Sequence, residues 1–386
     1  MMIDRVSLIE CIQCQNCKNV CPVQAISMSK LEGMFIYPKI DDKKCIHCQK
    51  CEKVCPALSS LKQQKVIASY AVKNRNKEIC LESSSGGLFS ALAETIIEKN
   101  GYVFGAAFRG NFKVEHIGID EKEKLFQLRG SKYVQSNLKD TFVRIEKLLE
   151  EGNLILFSGT PCQCAALNVF MKSKKYSGTL YIIDFICHGI LSEKLFADYI
   201  EYLEKKEKSE IESFEFRNKT YGWLDSGPKI KYKNGRSKNW PLYEDLYMQG
   251  YFQGLCMRES CYQCNYKNMY SGSDITMGDF WGADVLDKEF YDEKGVSLCC
   301  VQNERGMSLL NQAQKYLDIK QVPVEVLIKY NQGLLYSFKK GEKSESFFEE
   351  VRKTGNIAAL KKITKVSWKE KIKRVYRKIR RNLKNR

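Results

Sequence analysis

Nowhere in the 386 residues does an apolar run approach the roughly 18 residues needed to cross a bilayer. The best candidate, Leu180-Tyr181-Ile182-Ile183-Asp184-Phe185-Ile186, has the length of a buried strand, so no membrane span is expected. The opening MMIDRVSLIECIQC has neither a basic n-region nor an apolar h-region, and a cytoplasmic location is the expectation. A reducing compartment argues against a disulfide framework for the seventeen cysteines. Basic charge spread along the chain is also missing. Of the net +17, residues 361–386 supply +12 from 13 Lys or Arg and one Glu, which leaves about +5 for the other 360 residues, so no nucleic-acid partner is expected of the body.

Within that tail Trp368, Ile372, Val375, Tyr376, Ile379 and Leu383 recur at steps of three or four, giving one apolar stripe amid cations if the segment is helical. An interfacial membrane helix has this pattern, and anionic lipid attracts such a segment by about 1 kcal/mol per cation. The implied place is peripheral, at the inner face of the membrane. A solvated frayed end, RNA and an acidic partner protein stay open as alternatives.

What the chain does have is a cysteine pattern written twice. Cys11-x2-Cys14-x2-Cys17-x3-Cys21-Pro22 and Cys45-x2-Cys48-x2-Cys51-x3-Cys55-Pro56 stand 34 residues apart. Each iron of a 4Fe-4S cube takes one thiolate, so three close cysteines wrap one cube and the fourth, carried on by proline, reaches the other. Cys11, Cys14, Cys17 and Cys55 are expected on one cluster, and Cys45, Cys48, Cys51 and Cys21 on the second. Zinc sites usually pair Cys-x2-Cys units across a longer insert, which this spacing does not match.

Beyond this module about 300 residues remain, enough for a substantial core in one or two further domains. Val66 to Val72 reads as a strand, Gly86 to Glu98 as a helix, Tyr102 to Phe108 as a strand and Asn137 to Glu150 as a helix. Leu154 to Phe157 is expected as a buried strand, Pro161 to Met171 as a helix opened by proline, and Leu180 to Ile186 as another buried strand. This alternation argues for an α/β layer. An amphipathic helix is expected near Ser192 to Lys206, and Asn234-Gly235 predicts a hairpin within Ile230 to Trp240. The expected architecture is an α+β ferredoxin module with two 4Fe-4S clusters over residues 1–60, then an α/β domain. The latter divides into 66–210 and a more β-rich 211–340, and the basic tail at 361–386 follows.

Several loops look chemical. Ser83-Ser84-Ser85-Gly86-Gly87 precedes a helix, where free backbone N–H groups can cradle a phosphate, although serine is also an ordinary N-cap. Ser158-Gly159-Thr160-Pro161-Cys162-Gln163 and Cys187-His188-Gly189 each follow a buried strand, where open α/β sheets place ligands. Cys162 reads as a thiolate near a helix start or as a small buried residue, and His188 without partners defines no site. Cys261-x2-Cys264 suggests half of a metal site, and Gly278-Asp279-Phe280-Trp281-Gly282 a tight turn.

From about residue 66 to 340 the chain resembles the beta-subunit family of coenzyme F420 hydrogenases and dehydrogenases, itself similar to chlorophyll(ide) reductases. The matching stretches are Ser84-Ser85-Gly86-Gly87-Leu88, Arg129-Gly130-Ser131-Lys132-Tyr133-Val134-Gln135-Ser136, Gly159-Thr160-Pro161-Cys162-Gln163, Cys187-His188-Gly189, Arg258-x2-Cys261-Tyr262-x-Cys264 and Gly278-Asp279-Phe280-Trp281-Gly282. The resemblance implies an α/β flavin and iron–sulfur domain, with FAD and a third 4Fe-4S cluster held by Cys162, Cys187, Cys261 and Cys264. Cys256, outside the family motif, is a reserve ligand through the spacing Cys256-x4-Cys261-x2-Cys264, which plant-type ferredoxins use. It also places Ser85, Gly86 and Gly87 near the FAD pyrophosphate, and Ser131, Lys132 and Gln135 near the flavin or ribityl chain. Cys80, Cys164, Cys299 and Cys300 read as small buried hydrophobes.

Clusters carry single electrons and a flavin handles one or two, so the parts imply an oxidoreductase that exchanges electrons with a ferredoxin or another redox protein. An organic substrate of unknown identity stands at the other end, with no catalytic residue assigned. Among the settings that the resemblance implies, the basic tail favours one in surface-polysaccharide biosynthesis. An F420-type deazaflavin oxidoreductase, a non-catalytic electron-transfer subunit and a membrane-bound scaffold are the alternatives.

Overall fold

The computed structural model describes residues 3, 6–31, 34–172 and 174–364. The tail positions from 365 onward, including the stripe from Trp368 to Leu383, lie outside the described residues. Thirteen strands are described: β1 Ile26–Leu31, β2 Phe35–Ile40, β3 Ala68–Asn74, β4 Tyr102–Arg109, β5 Lys113–Ile119, β6 Leu154–Gly159, β7 Thr179–Phe185, β8 Ile211–Asn218, β9 Gly227–Tyr232, β10 Ser237–Asn239, β11 Ile275–Asp279, β12 Ser297–Val301 and β13 Leu317–Gln321. By contact the chain divides into two units, Met1–Ala197 with Met257–Phe338 and Asp198–Cys256 with Lys339–Arg386.

The first unit is built on an eight-stranded sheet in the order β13-β3-β12-β11-β7-β6-β4-β5. Its centre, from β11 through β7 and β6 to β4, is parallel, and the remaining pairs are antiparallel. Parallel strands need cover on both faces, and β6 and β7 are apolar on both. Leu156 and Ile183 point into one core with Leu88, Leu92 and Ile96 of the helix Leu88–Ile97. Their neighbours Ile155, Phe157 and Ile182 point into the opposite core with Phe142 and Ile145 of the helix Thr141–Glu150 and Ala165 and Phe170 of the helix Pro161–Met171. Each such buried side chain stabilises the sheet by about 1.5–3 kcal/mol.

The helix expected from Asn137 starts at Thr141 instead. Asn137 is held extended beside β5, its N–H donating to Val114 O (2.9 Å) and its carbonyl accepting from His116 N (3.0 Å). Cys80, Cys164, Cys299 and Cys300 are buried. The thiol of Cys80 faces Asn74 O at 3.2 Å, and that of Cys164 faces Ile183 O at 3.4 Å.

At the N-terminus β1 and β2 form an antiparallel hairpin with Ile26 opposite Ile40. The cysteine loops flank it, and each leads into a one-turn helix, Asn16–Asn19 and Lys50–Lys53. Gln13 and Gln15 (φ 61° and 66°) and His47 and Gln49 (φ 52° and 59°) take the left-handed conformation at equivalent places in the repeat. Non-glycine residues adopt it at a cost, and here it curls both loops in the same way.

The second unit carries the antiparallel sheet β8-β9-β10. Its β9–β10 hairpin turns at Asn234-Gly235, with Gly235 at φ 83°. In the same unit Tyr199 and Tyr247 stack on each other, and the Tyr199 hydroxyl donates to the buried Asp245.

Candidate iron–sulfur site

The ends of β6 and β7 set the site. The two strands are parallel neighbours with Gly159 opposite Asp184, so the segments leaving them emerge side by side. After β6, Thr160 caps the helix Pro161–Met171 in a reciprocal capping box with Gln163, with Pro161 at the first helical position and Cys162 at the second. After β7 the chain runs through Cys187 and His188 to Gly189, at φ 128°. A Cβ on Gly189 would lie 2.4 Å from Met257 Sδ and 3.3 Å from Cys261 Cβ, so the bare backbone lets Cys261 approach. Isolated bridges join Leu191 to Val134 on one side and to Met257 on the other, aligning three distant loops.

This arrangement brings together all four cysteines of the proposed third centre. Cys187 lies within electrostatic range of Cys261 and Cys162, and Cys264 within range of Cys162 and Cys261. Burial pushes the thiols of Cys187 and Cys264 up to about 12. Buried thiolates therefore need positive charge beside them. Two cations stand there. Buried Arg258 directs Nη2 to Cys162 Sγ (3.6 Å), and buried Lys267 donates to Cys187 O (2.6 Å). Cys256 belongs to the second unit, where its sulfur packs near Gly250 and Tyr247. The ring of His188 packs edge-on to Phe338, and burial, with Lys267 adding to it, lowers its pKa to about 4.

In the N-terminal module, Cys14 lies within range of Cys17, Cys11 and Cys55, and Cys17 within range of Cys11, Cys55 and Cys51. Backbone N–H groups of Gln13, Asn16 and Lys18 are directed at the sulfurs of Cys11, Cys14 and Cys17. Cys51 is within range of Cys48, Cys21 and Cys51 flank the small core around Cys17, and Ala25 N–H donates to Cys21 Sγ at 3.2 Å. Cys45 Sγ lies 4.0 Å from His47 Nδ1. Among the described residues no three His, Cys, Asp or Glu converge tightly enough to hold a single metal ion. A cube does not ask this of its ligands, since each thiolate binds a different iron. All-thiol sets with directed N–H groups and adjacent cations suit such clusters.

The two repeats meet different surroundings. Asn16, fully buried, donates Nδ2 to Ala166 O (3.0 Å) and Val54 O (3.2 Å), and Ile12 enters the core around Cys162 and Tyr266. Ile46 is 59% exposed and Cys48 is exposed. Between the inner set and Cys162 stand Arg258, whose Nη1 donates to Ile12 O (2.6 Å) and Gln135 Oε1 (2.7 Å), and Tyr266, within range of Cys14, Cys55, Cys162 and Cys264.

The loops expected to hold FAD also meet. Ser84 Oγ accepts from Ser131 N–H (2.7 Å) and lies 2.9 Å from Ser131 Oγ. Ser85 Oγ donates to Val296 O (2.9 Å), and Gly86 N–H donates to Ser297 Oγ (2.9 Å), so both fasten the loop to the strand β12 and its approach. A Cβ on Gly86 would lie 2.5 Å from Val72 O. Gly87 (φ 82°) caps the helix Leu88–Ile97. The Lys132 amine donates to Gln127 O (3.1 Å) and Arg129 O (2.8 Å), and burial alone lowers its pKa to about 7. Gln135 binds Arg258 rather than facing the serine loop.

Residues 152–325 match the family model for the C terminus of the coenzyme F420 hydrogenase/dehydrogenase beta subunit, and residues 10–58 match the 4Fe-4S dicluster domain. Over residues 152–325 the chain is thus similar to this beta-subunit family. It is an iron–sulfur electron-transfer protein of the oxidoreductase kind, with a dicluster ferredoxin-type domain in front. Among solved structures it is similar to a chain of the F420-reducing NiFe hydrogenase complex from Methanosarcina barkeri. The identity is 15%, over 78% of this chain and 92% of that one, at a TM-score of 0.46. Among curated proteins none matches.

Proposed function

We propose that this protein is an iron–sulfur flavoprotein oxidoreductase that joins a one-electron protein partner to an organic substrate. The observation that carries the reading is the buried Arg258–Tyr266 junction, where the inner ferredoxin loop and the four-cysteine set around Cys162 share two side chains. Cys11, Cys14, Cys17 and Cys55 would hold one cube, Cys45, Cys48, Cys51 and Cys21 the second, and Cys162, Cys187, Cys261 and Cys264 a third. Bound clusters supply one-electron steps, and a bound FAD would couple them to two-electron chemistry.

For FAD, the meeting of the 83–87 and 129–135 loops and the enclosed amine of Lys132 support the reading. An amine with a pKa near 7 offers a positive charge, or a proton, to a group that gains negative charge. Gly87, Ser131 and Lys132 are the stronger contributors, since Ser85 and Gly86 are engaged with Val296 and Ser297. A cavity of about 440 Å³ opens elsewhere, beside Cys264 and Tyr266, and belongs to the cluster side.

The protein partner is taken as ferredoxin or a similar redox protein, docking where Cys48 is exposed. Among the described residues no helix is long and apolar enough to cross a membrane. Contact with anionic lipid through the 361–386 tail, at the inner membrane face, and a role in surface-polysaccharide biosynthesis are part of the proposal.

Iron, sulfide and flavin per chain on anaerobically purified protein, with EPR of the reduced form, test it. About 12 iron atoms, four for each of three cubes, with one FAD is the expected result. About eight iron atoms with no flavin after added FAD would leave a two-cluster electron carrier. Lys132→Met should lose flavin while keeping iron.

A further inference from the structure

Arg258 and Lys267 are both buried, at 3% and 7% exposure. A buried cation ordinarily faces a carboxylate, because its desolvation is otherwise uncompensated. Neither does so here. The guanidinium donates to Ile12 O, Gln135 Oε1, Ser260 Oγ and Cys162 Sγ, and the ammonium to Cys187 O and Gly333 O (2.5 Å). Asp184 is within electrostatic range of Lys267 but forms no ion pair with it among the described residues.

The cations divide the four cysteines between them. Arg258 acts on Cys162 and Cys261, and Lys267 on Cys187 and Cys264. A 4Fe-4S cube with a doubly positive core and four thiolates carries two net negative charges when oxidised and three when reduced. Two cations against that set neutralise the oxidised centre and still attract the added electron. Around the outer set the lysines are exposed and screened by solvent, since Cys48 and its neighbours face water.

We propose that Arg258 and Lys267 are the counter-charges of the centre at Cys162, Cys187, Cys261 and Cys264, raising its potential above that of the outer ferredoxin cluster so that electrons collect there. Both are positioning residues that act on the cluster and not on substrate. The inference rests on the three-cluster reading above.

Redox titration of the full chain, followed by EPR, tests it on wild type, Arg258→Gln, Lys267→Gln and Arg258→Lys, with iron counted on each. Each Gln variant should keep about 12 iron atoms. Each should weaken reduction of the third centre at least tenfold, about 59 mV more negative for one electron. Arg258→Lys should stay near wild type, and the outer cluster should not move in any variant. Unmoved midpoints at full iron content would overturn the inference alone, as would an equal shift in Arg258→Lys. If a Gln variant loses iron, Arg258→Lys decides: full iron and an unshifted midpoint support a role for charge, and equal loss overturns it. A wild type with about eight iron atoms overturns the three-cluster reading together with the inference.

Discussion

Replacing Gly189 by alanine should damage the Cys162–Cys187–Cys261–Cys264 site more than its single methyl suggests. Gly189 holds φ 128°, a conformation that costs an L-residue about 1–3 kcal/mol. The new Cβ would also lie 2.4 Å from Met257 Sδ and 3.3 Å from Cys261 Cβ. Methionine can usually swing away, but Met257 is 1% exposed, and its own backbone bridges Leu191. Relief must therefore come from the turn that carries Cys187 or from the helix Glu259–Tyr262 that carries Cys261. Overpacking of this kind adds about 1–3 kcal/mol where no void receives the atom. The expected total is roughly 2–6 kcal/mol, expressed as a lower denaturation midpoint and loss of the proposed third cluster. Urea unfolding and iron per chain on anaerobic protein measure both effects, with the N-terminal clusters as an internal control. A variant with wild-type midpoint and full iron would show that the close approach of Gly189 to Cys261 is not what admits the ligand.

Three further outcomes are expected. His116 is fully buried between Ser136 Oγ (2.5 Å) and Ser158 O (3.1 Å), and burial depresses its pKa to about 4, so it is neutral when folded. The unfolded chain takes up that proton first, so its contribution of about 3 kcal/mol is present above the unfolded pKa near 6.5 and is lost as pH falls towards 4. Denaturation of His116→Gln should show a flatter pH dependence across that window, and an identical slope would refute this. Asn16→Ala removes two buried donations, to Ala166 O and Val54 O, and should lower stability by about 1–3 kcal/mol in urea titrations; a change under about 0.5 kcal/mol would contradict the packing described. Lys43, Lys44, Lys50 and Lys53, within five residues of Cys48 in the chain, are exposed, so reduction by an acidic ferredoxin should slow as salt shortens the Debye length from about 30 to 8 Å, and a salt-independent rate would place docking elsewhere.

Elements with local signals were legible in the sequence. The helix Pro161–Met171 has the bounds its capping residues imply, because Thr160, Pro161 and Gln163 specify a start without outside help. Asn234-Gly235 likewise specifies its turn. What stayed hidden depends on pairing across long stretches of chain. Nothing local in residues 275–279, 297–301 or 317–321 says that they rejoin the sheet begun at Ala68, and that pairing makes the sheet mixed rather than simply alternating. The same holds for the site. Arg258 stood in a recognisable stretch, but that its guanidinium is buried against Ile12 and Cys162 depends on two loops about 100 and 250 residues away meeting it. Lys267 carried no signal at all, since an isolated lysine is usually a solvated one.

The two cysteine repeats differ between their matching cysteines. At the 34-residue offset Ile12 corresponds to Ile46, Asn16 to Lys50 and Asn19 to Lys53. The first member of each pair faces protein: Ile12 is 4% exposed, Asn16 reaches Ala166 O, and Asn19 Nδ2 donates to Lys139 O at 2.6 Å. The second faces water, with Ile46 59% exposed and both lysines exposed. A neutral amide can satisfy a buried carbonyl without carrying charge into the interior, whereas lysine there would bring several kcal/mol of desolvation. Substituting asparagine by lysine between otherwise matching loops thus marks the outward repeat. On the proposed function, the cysteine spacing would make two equivalent cluster sites, and the residues between the cysteines would make one of them an entrance for electrons and the other an internal station beside Arg258 and Tyr266.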